Sequence, residues 1–452
     1  MDKEKMEQSS DENSDEPMDE EMNDSDNNSE KDTIDDDTDV CSQKSTQDNE
    51  ILTFDSSAYR MFHRAQTGAP CLSFDVIIDD LGLCRETYPL SMYLVSGTQA
   101  AKAHLNNLII MKMTNLTEIE KEGSSDEESS ESESEDDNTK DPKMNVISIQ
   151  HHGCVNRIRC TKVNNVPLVA SWSELGRVNI WNIDNQMKSL EDSNVSMPHN
   201  RKNKYRSENS KPLFTFKGHL TEGYGLDWCT VESGVLASGD CNGNIHLWRY
   251  NEGSWHVDQK AYNSHAPHSV EDLQWSPNEK NVLASCSADK CIKIWDMRVN
   301  PQSACMLTAE NTHESDVNVI SWNKKESCFI VSGGDDGAIK IWDLRQFGSG
   351  TSNAIATFKQ HTAPVTTVEW HPDDSTVFAS GGADDQIIQW DLSIEVDDSE
   401  TIDQEFKKLP PQLLFIHQGQ SDIKELHWHP QCPGTIISTA HSGFNIFRTI
   451  SV

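Results

Sequence analysis

A chain of 452 residues in which 74 Asp and Glu face 38 Lys and Arg carries a formal net charge of −36, and only 35% of its residues are hydrophobic. Such acidity disfavours direct binding to DNA or RNA, whose phosphates it would repel; no run of about 18 apolar residues is present to form a membrane-spanning helix. The start, Met1 to Glu7, is rich in charge, which argues against a secretory signal and leads us to expect a soluble intracellular protein.

Residues 1–50 hold 20 Asp and Glu against 4 Lys, too much charge and too little apolar surface to fold, and are expected to form a disordered acidic tail. Over 51–67, Leu52, Tyr59 and Phe62 fall on one side of an expected N-terminal helix that Gly68 and Pro70 would stop. Strand-like runs follow at Cys71 to Val76 and Asn107 to Met113. A second acidic stretch, 116–141, holds 12 acids against 2 Lys and is expected to be a disordered loop. Its Ser124, Ser125, Ser129 and Ser130 stand among acids, as an acidophilic kinase requires, although low complexity alone would also place serines there. The two acidic stretches carry −26 of the net charge and leave −10, ordinary for a globular surface. A loop at about 184–212 contains the basic cluster Arg201 to Arg206, either a nuclear import signal or simply an exposed turn.

From there the chain repeats. Trp248, Trp295, Trp342 and Trp390 recur at intervals of 47, 47 and 48 residues, and Trp228, Trp275, Trp322 and Trp370 precede them by 20. A histidine stands 29 or 30 residues before each of the first set: His219, His265, His313 and His361. Between paired tryptophans lie runs such as Val282 to Asp289, a short strand and a tight turn, then strands alternating apolar with polar residues, as in Ile339 to Trp342. Each unit thus holds a hairpin with one strand before it and one after, the makings of a propeller blade. Trp181, Trp248, Trp295, Trp342, Trp390 and Phe447 mark six units and Asn107 to Met113 a seventh, so the expected fold is all-β, a seven-bladed propeller over 68–452. Cys71 to Val76 is expected to join the blade containing Phe444 to Phe447, leaving no open terminal edge. Twelve cysteines, scattered singly, suit reduced, buried thiols.

The units resemble the WD repeat, with Trp295-Asp296, Trp342-Asp343 and Trp390-Asp391 as the namesake pairs. The resemblance implies a buried polar brace in each blade: His265, Ser285, Asp289 and Trp295; His313, Ser332, Asp336 and Trp342; His361, Ser380, Asp384 and Trp390. A buried Asp and His leave polar atoms dry unless they satisfy one another. Other units depart from the pattern. Asn242 stands in place of Asp before Trp248, and the last unit has Ser442 and Phe447 in place of Asp and Trp while keeping His417, Trp428 and Ser438.

Three stretches, Ala65 to Asp75, Ser269 to Pro277 and Lys424 to Gly434, are similar to the glutamate-rich WD-repeat proteins, and the likeness runs over 55–452. It implies a nuclear and nucleolar protein that assists large ribosomal subunit assembly, with pre-ribosomal particles, ribosomal proteins (large-subunit ribosomal protein three in fungal members) and histones as partners. It also implies, through the related histone-binding propellers, that the helix bearing Tyr59 and Phe62 pairs with an acidic loop holding Asp397, Asp398, Glu400, Asp403 and Glu405 to grip a basic helix. The alternative is that helix and loop only cover the ring's edge.

Two mobile anionic stretches can mask the charge of very basic clients; the simpler alternative is that they keep the chain soluble. Asp296 with Arg298 and Asp343 with Arg345 fit the WDxR pattern of propellers recruited to cullin-based ubiquitin ligases, a pattern that also arises by chance in such repeats. There is no HExxH, P-loop or GxSxG motif, and His151, His152 and Cys154, like His427 and His429, fall where the repeat already accounts for them. We therefore expect no enzyme, no cofactor and no metal.

Overall fold

A computed structural model describes residues 55–119, 141–192, 210–347, 353–395 and 409–452. These residues form seven four-stranded antiparallel sheets. The innermost strands are Cys71–Ile77, Val155–Val163, Gly225–Trp228, Val270–Trp275, Val317–Trp322, Val365–Trp370 and Ile423–Trp428; each packs on the next and the last on the first, closing a seven-bladed propeller. The one α-helix among the described residues, Asp184–Asp192, leads out of the second blade.

The tryptophans that end the innermost strands tie blade to blade. The indole N–H of Trp228 donates to the Arg159 carbonyl at 3.0 Å, Trp275 to Asp227 at 3.0 Å, Trp370 to Ser321 at 3.1 Å and Trp428 to Glu369 at 3.2 Å. Trp322 instead turns to Ser327 in its own blade. The second tryptophan series is therefore an inter-blade clamp, while the first lies inside the blades, with Trp248, Trp295 and Trp390 fully buried.

Closure differs from expectation. The ring is joined not by Cys71 to Val76, which is the hub strand of the first blade, but by Tyr59–Ala65, the fourth and outermost strand of the last blade, paired antiparallel with Gly443–Thr449. The helix expected over 51–67 is accordingly absent from the described part of that range: Ser56–Ala58 is a single 3-10 turn, and a strand follows. Spacing alone allowed Tyr59 and Phe62 to share a helix face. The unpaired edge of Gly443–Thr449 decides the matter, because pairing and the burial of Tyr59 and Met61 outweigh local propensity. The acidic loop also starts later than 116, since Leu116 is 2% exposed and Ile119 donates its N–H to Arg60 at 2.9 Å.

In the three central blades the expected braces have hydrogen-bonding geometry. Trp342 Nε1 donates to Ser332 Oγ at 2.8 Å, Ser332 Oγ lies 2.7 Å from His313 Nε2, and His313 Nδ1 lies 3.0 Å from Asp336. An indole can only donate, so the serine proton points to Nε2 and the Nδ1 proton to the carboxylate. His265, Ser285, Asp289 and Trp295 are linked in the same way, as are His361, Ser380, Asp384 and Trp390.

The blade of Trp248 is braced too, contrary to the reading that Asn242 had cost it its acid. Asp240, two residues earlier, lies 2.9 Å from His219 Nδ1, and Ser238 bridges His219 and Trp248. In the second blade His151, Ser171 and Trp181 persist, and the Gly153 carbonyl replaces the carboxylate at 2.9 Å. The last blade is rebuilt: Ser438 bonds Gln420, and His417 stacks on Phe447 instead of reaching the serine. In the first blade methionines replace the tryptophan, with Met61, Met92, Met111 and Met113 buried together. The described cysteines are unpaired; Cys71, Cys154, Cys229, Cys286 and Cys432 are buried, but Cys84 is exposed.

Candidate partner-binding site

Six innermost strands slip register near their start, as between Val155 and Arg157 or Ile423 and Glu425. From the bulge onward alternate side chains face the axis: Arg157 and Arg159, Asp272 and Gln274, Thr367 and Glu369, Glu425 and His427. They line an axial cavity of about 730 Å³. Their acids accept backbone N–H groups from the next blade: Asp75 from Cys160 at 2.7 Å, Asp227 from Trp275 at 2.6 Å, Asp272 from Ile320 at 3.2 Å, and Glu369 from Trp428 at 2.9 Å.

Glu425 is the most engaged. Its carboxylate meets Arg157 at 2.9 Å and Arg159 at 2.8 Å, accepts from Ser73 and the Phe74 N–H, and is 2% exposed. Burial alone would raise its pKa, but Arg159, His427 and Arg157 hold it well below the usual range. Burial would likewise discharge His427, yet Glu369 at 3.1 Å and Glu425 at 3.6 Å push its pKa up to about 10. Asp227 lacks such compensation, and burial pushes it up to about 7. The interior charges are thus consumed by one another.

The mouth of the channel at the end where the innermost strands begin is different. Glu222, Glu271, Asp316 and Asp422 stand just before or at the start of these strands, and Asp335 and Asp385 sit on hairpin turns at the same end. The turns are locked to the strand starts: Asp335 donates its N–H to the Asp316 carbonyl at 3.0 Å, and Asp385 accepts from the Asp422 N–H at 2.6 Å. Burial raises the Glu271 pKa, and Asp316 and Asp335 raise it further, while Glu222 and Glu271 help hold Tyr224 at about 12. An arc of carboxylates whose fields overlap attracts Lys and Arg side chains. Sequence reasoning missed this arc because each loop contributes one or two acids and none makes a run.

The residues singled out from the sequence lie elsewhere. Tyr59, 9% exposed, turns inward: its hydroxyl is 2.7 Å from His417 Nδ1, and its ring packs edge-on to Phe415 and Phe447. Phe62 stacks on Tyr59 at 5.4 Å, with Arg64 over its other side. Asp397, Asp398, Glu400, Asp403 and Glu405 fall outside the described residues, as do Ser124, Ser125, Ser129 and Ser130. Arg298 folds back on Asp296 with bonds of 2.6 to 3.2 Å, and Arg345 repeats the arrangement on Asp343 in the next blade. His151 belongs to a brace, His427 to the channel wall, and His429 Nδ1 accepts two backbone N–H groups at 3.1 Å. Among the described residues no three His, Cys, Asp or Glu are placed to hold a metal ion.

Residues 49–117, which include the closing strand and most of the first blade, match the family described as histone-binding protein RBBP4. Residues 210–249 match the WD domain, G-beta repeat, and residues 236–384 match eukaryotic translation initiation factor eIF2A. Over 420 residues the chain is 45% identical to glutamate-rich WD repeat-containing protein 1 of Dictyostelium discoideum, covering 89% of this chain and 83% of the relative. It is 40% identical over 411 residues to ribosome assembly protein rrb1 of Schizosaccharomyces pombe, covering 89% and 82%. It is 41% identical over 431 residues to protein HEAT STRESS TOLERANT DWD 1 of Arabidopsis thaliana, covering 90% of each.

Proposed function

The chain belongs to the glutamate-rich WD-repeat protein family, and from that premise we propose that it is a non-catalytic binding protein that chaperones basic clients during large ribosomal subunit assembly. The clients are histones and ribosomal proteins, large-subunit ribosomal protein three among them, and the sites of action are the nucleus and nucleolus. The observation that carries the reading is the carboxylate arc at the channel mouth, where Glu271, Asp316 and Asp335 act on one another without cancelling cations. The two acidic stretches of the sequence extend the same field. Client lysines and arginines meant for nucleic acid are held there by charge, and the grip loosens with salt, because the screening length is about 8 Å at physiological ionic strength. Phosphorylation at Ser124, Ser125, Ser129 and Ser130 would deepen the field.

The test is client affinity against salt for three forms: the full chain, a form lacking 1–50 and 120–140, and an Asp316→Lys/Asp335→Lys variant. Weaker binding and a shallower salt dependence in both altered forms are expected. Unchanged affinity at low and high salt would refute the charge-masking mechanism.

A second reading, a substrate receptor of a cullin-based ligase, is favoured by one observation: the Asp296–Arg298 and Asp343–Arg345 pairs occupy the same position in adjacent blades, with both arginines exposed. Arg298→Ala/Arg345→Ala would abolish ligase association and spare histone binding.

A further inference from the structure

A cleft of about 720 Å³ opens beside the second blade, lined by Gln150 at the end of the first blade's outermost strand and by the outer strands of the second. Arg177, Lys211, Lys217 and His152 line it, and no Asp or Glu does. On a chain with nearly two acids for every base this reverses the prevailing surface. Most cations of the propeller have found a carboxylate, Arg85, Arg157, Arg159, Arg249, Arg298 and Arg345 among them. Arg177, Lys211 and Lys217 have none among the described residues, so like charges converge there without a counter-ion.

The floor of the cleft is built, not incidental. Trp181 and Asn179 are 4% and 8% exposed. Thr215 donates its hydroxyl to Asn179 Oδ1 at 2.8 Å, which fixes the amide and leaves Nδ2, with no partner among the described residues, as a donor. Three cationic side chains around a fixed neutral donor match a compact anion with several acceptor oxygens.

We propose that this cleft is a phosphate-binding site that takes the phosphorylated serine or threonine of a partner protein. One concave site suits one phosphate. A nucleic-acid strand would carry its remaining phosphates onto a surface of the opposite preference, since the chain as a whole bears −36. For the same reason the residues flanking the phosphate are neutral or basic.

The sign of the phosphorylation effect tests this. A fluorescent, basic-flanked serine peptide and its phosphoserine form are titrated by anisotropy against the full chain and against Arg177→Glu/Lys217→Glu, whose exposed sites allow folding, verified by an unchanged Tm. Phosphorylation removes positive charge, so a protein with only acidic peptide-binding surface binds the modified peptide more weakly. The cleft predicts at least tenfold tighter binding, about 1.4 kcal/mol at 25 °C, competition by inorganic phosphate, and reversal of the effect in the variant. The proposal is overturned if phosphorylation weakens binding or leaves it unchanged in the full chain, or if the tightening survives in the variant. It is equally overturned if inorganic phosphate or a single-stranded oligonucleotide occupies the cleft while the phosphopeptide does not. The unphosphorylated peptide reports on the carboxylate arc and the increment on the cleft, so the two readings fail separately.

Discussion

Glu425 Oε2 accepts the backbone N–H of Phe74 at 2.8 Å, so the seventh blade reaches into the first, while Glu425 Oε1 holds Arg157 and Arg159 of the second. One carboxylate thus spans three blades at the seam where the ring closes. Glu425→Ala strands two guanidinium groups and a buried N–H, and loss of one partner of a buried ion pair costs about 3–5 kcal/mol. A large drop in the urea midpoint is expected; a variant within about 0.5 kcal/mol of the parent would contradict this role.

Asp240, not Asn242, completes the third blade's brace. Asp240→Ala leaves His219 Nδ1 and the Asn242 and Asn244 N–H groups without their acceptor, at about 1–3 kcal/mol. Asn242→Ala, at an exposed site, should stay within about 0.5 kcal/mol. Chemical denaturation of the two single variants distinguishes them.

Burial holds His417 and His429 at about 3 and His151 at about 4, and lowers His219 and His313. An unfolded histidine takes a proton near pH 6.5. Below that pH the unfolded chain binds protons that the folded one refuses, so stability falls as pH drops toward 3 to 4. His427, held at about 10, has the opposite sign: its contribution is complete below pH 6.5 and disappears as pH rises through 10. Calorimetric Tm against pH should show the acid decline, and the deficit of His427→Gln should narrow toward pH 10.

Removing residues through 54 spares every described strand, whereas removal through 65 exposes the edge of Gly443–Thr449. The first truncation should stay soluble with Tm nearly unchanged, and the second should aggregate through the open edge. Removing 443–452 deletes a strand flanked on both sides and should be at least as damaging. Size-exclusion profiles of the three forms read this directly.

The propeller and its central braces were legible because a buried Trp, Ser, His and Asp hold fixed spacing, as Trp342, Ser332, His313 and Asp336 do. Where contact survives but spacing slips, as at Asp240, the pattern hides it. The first blade hides for another reason: methionines fill the tryptophan's space and follow no period. Tyr59–Ala65 was misread because its identity as a strand depends on a partner at the far end of the chain. Arg177, Lys211 and Lys217, like the carboxylates of the channel mouth, are inconspicuous in sequence and meet only when strands and loops are brought together.

The strand that closes the ring is among the first parts of this chain to be made, and its partner is among the last. With Tyr59 opposite Thr449, synthesis at roughly 5–20 residues per second leaves the closing strand waiting about 20 to 80 s before the seam can form. Until then six blades stack without a rim, and a chain that protects aggregation-prone clients passes its own birth in the same exposed condition.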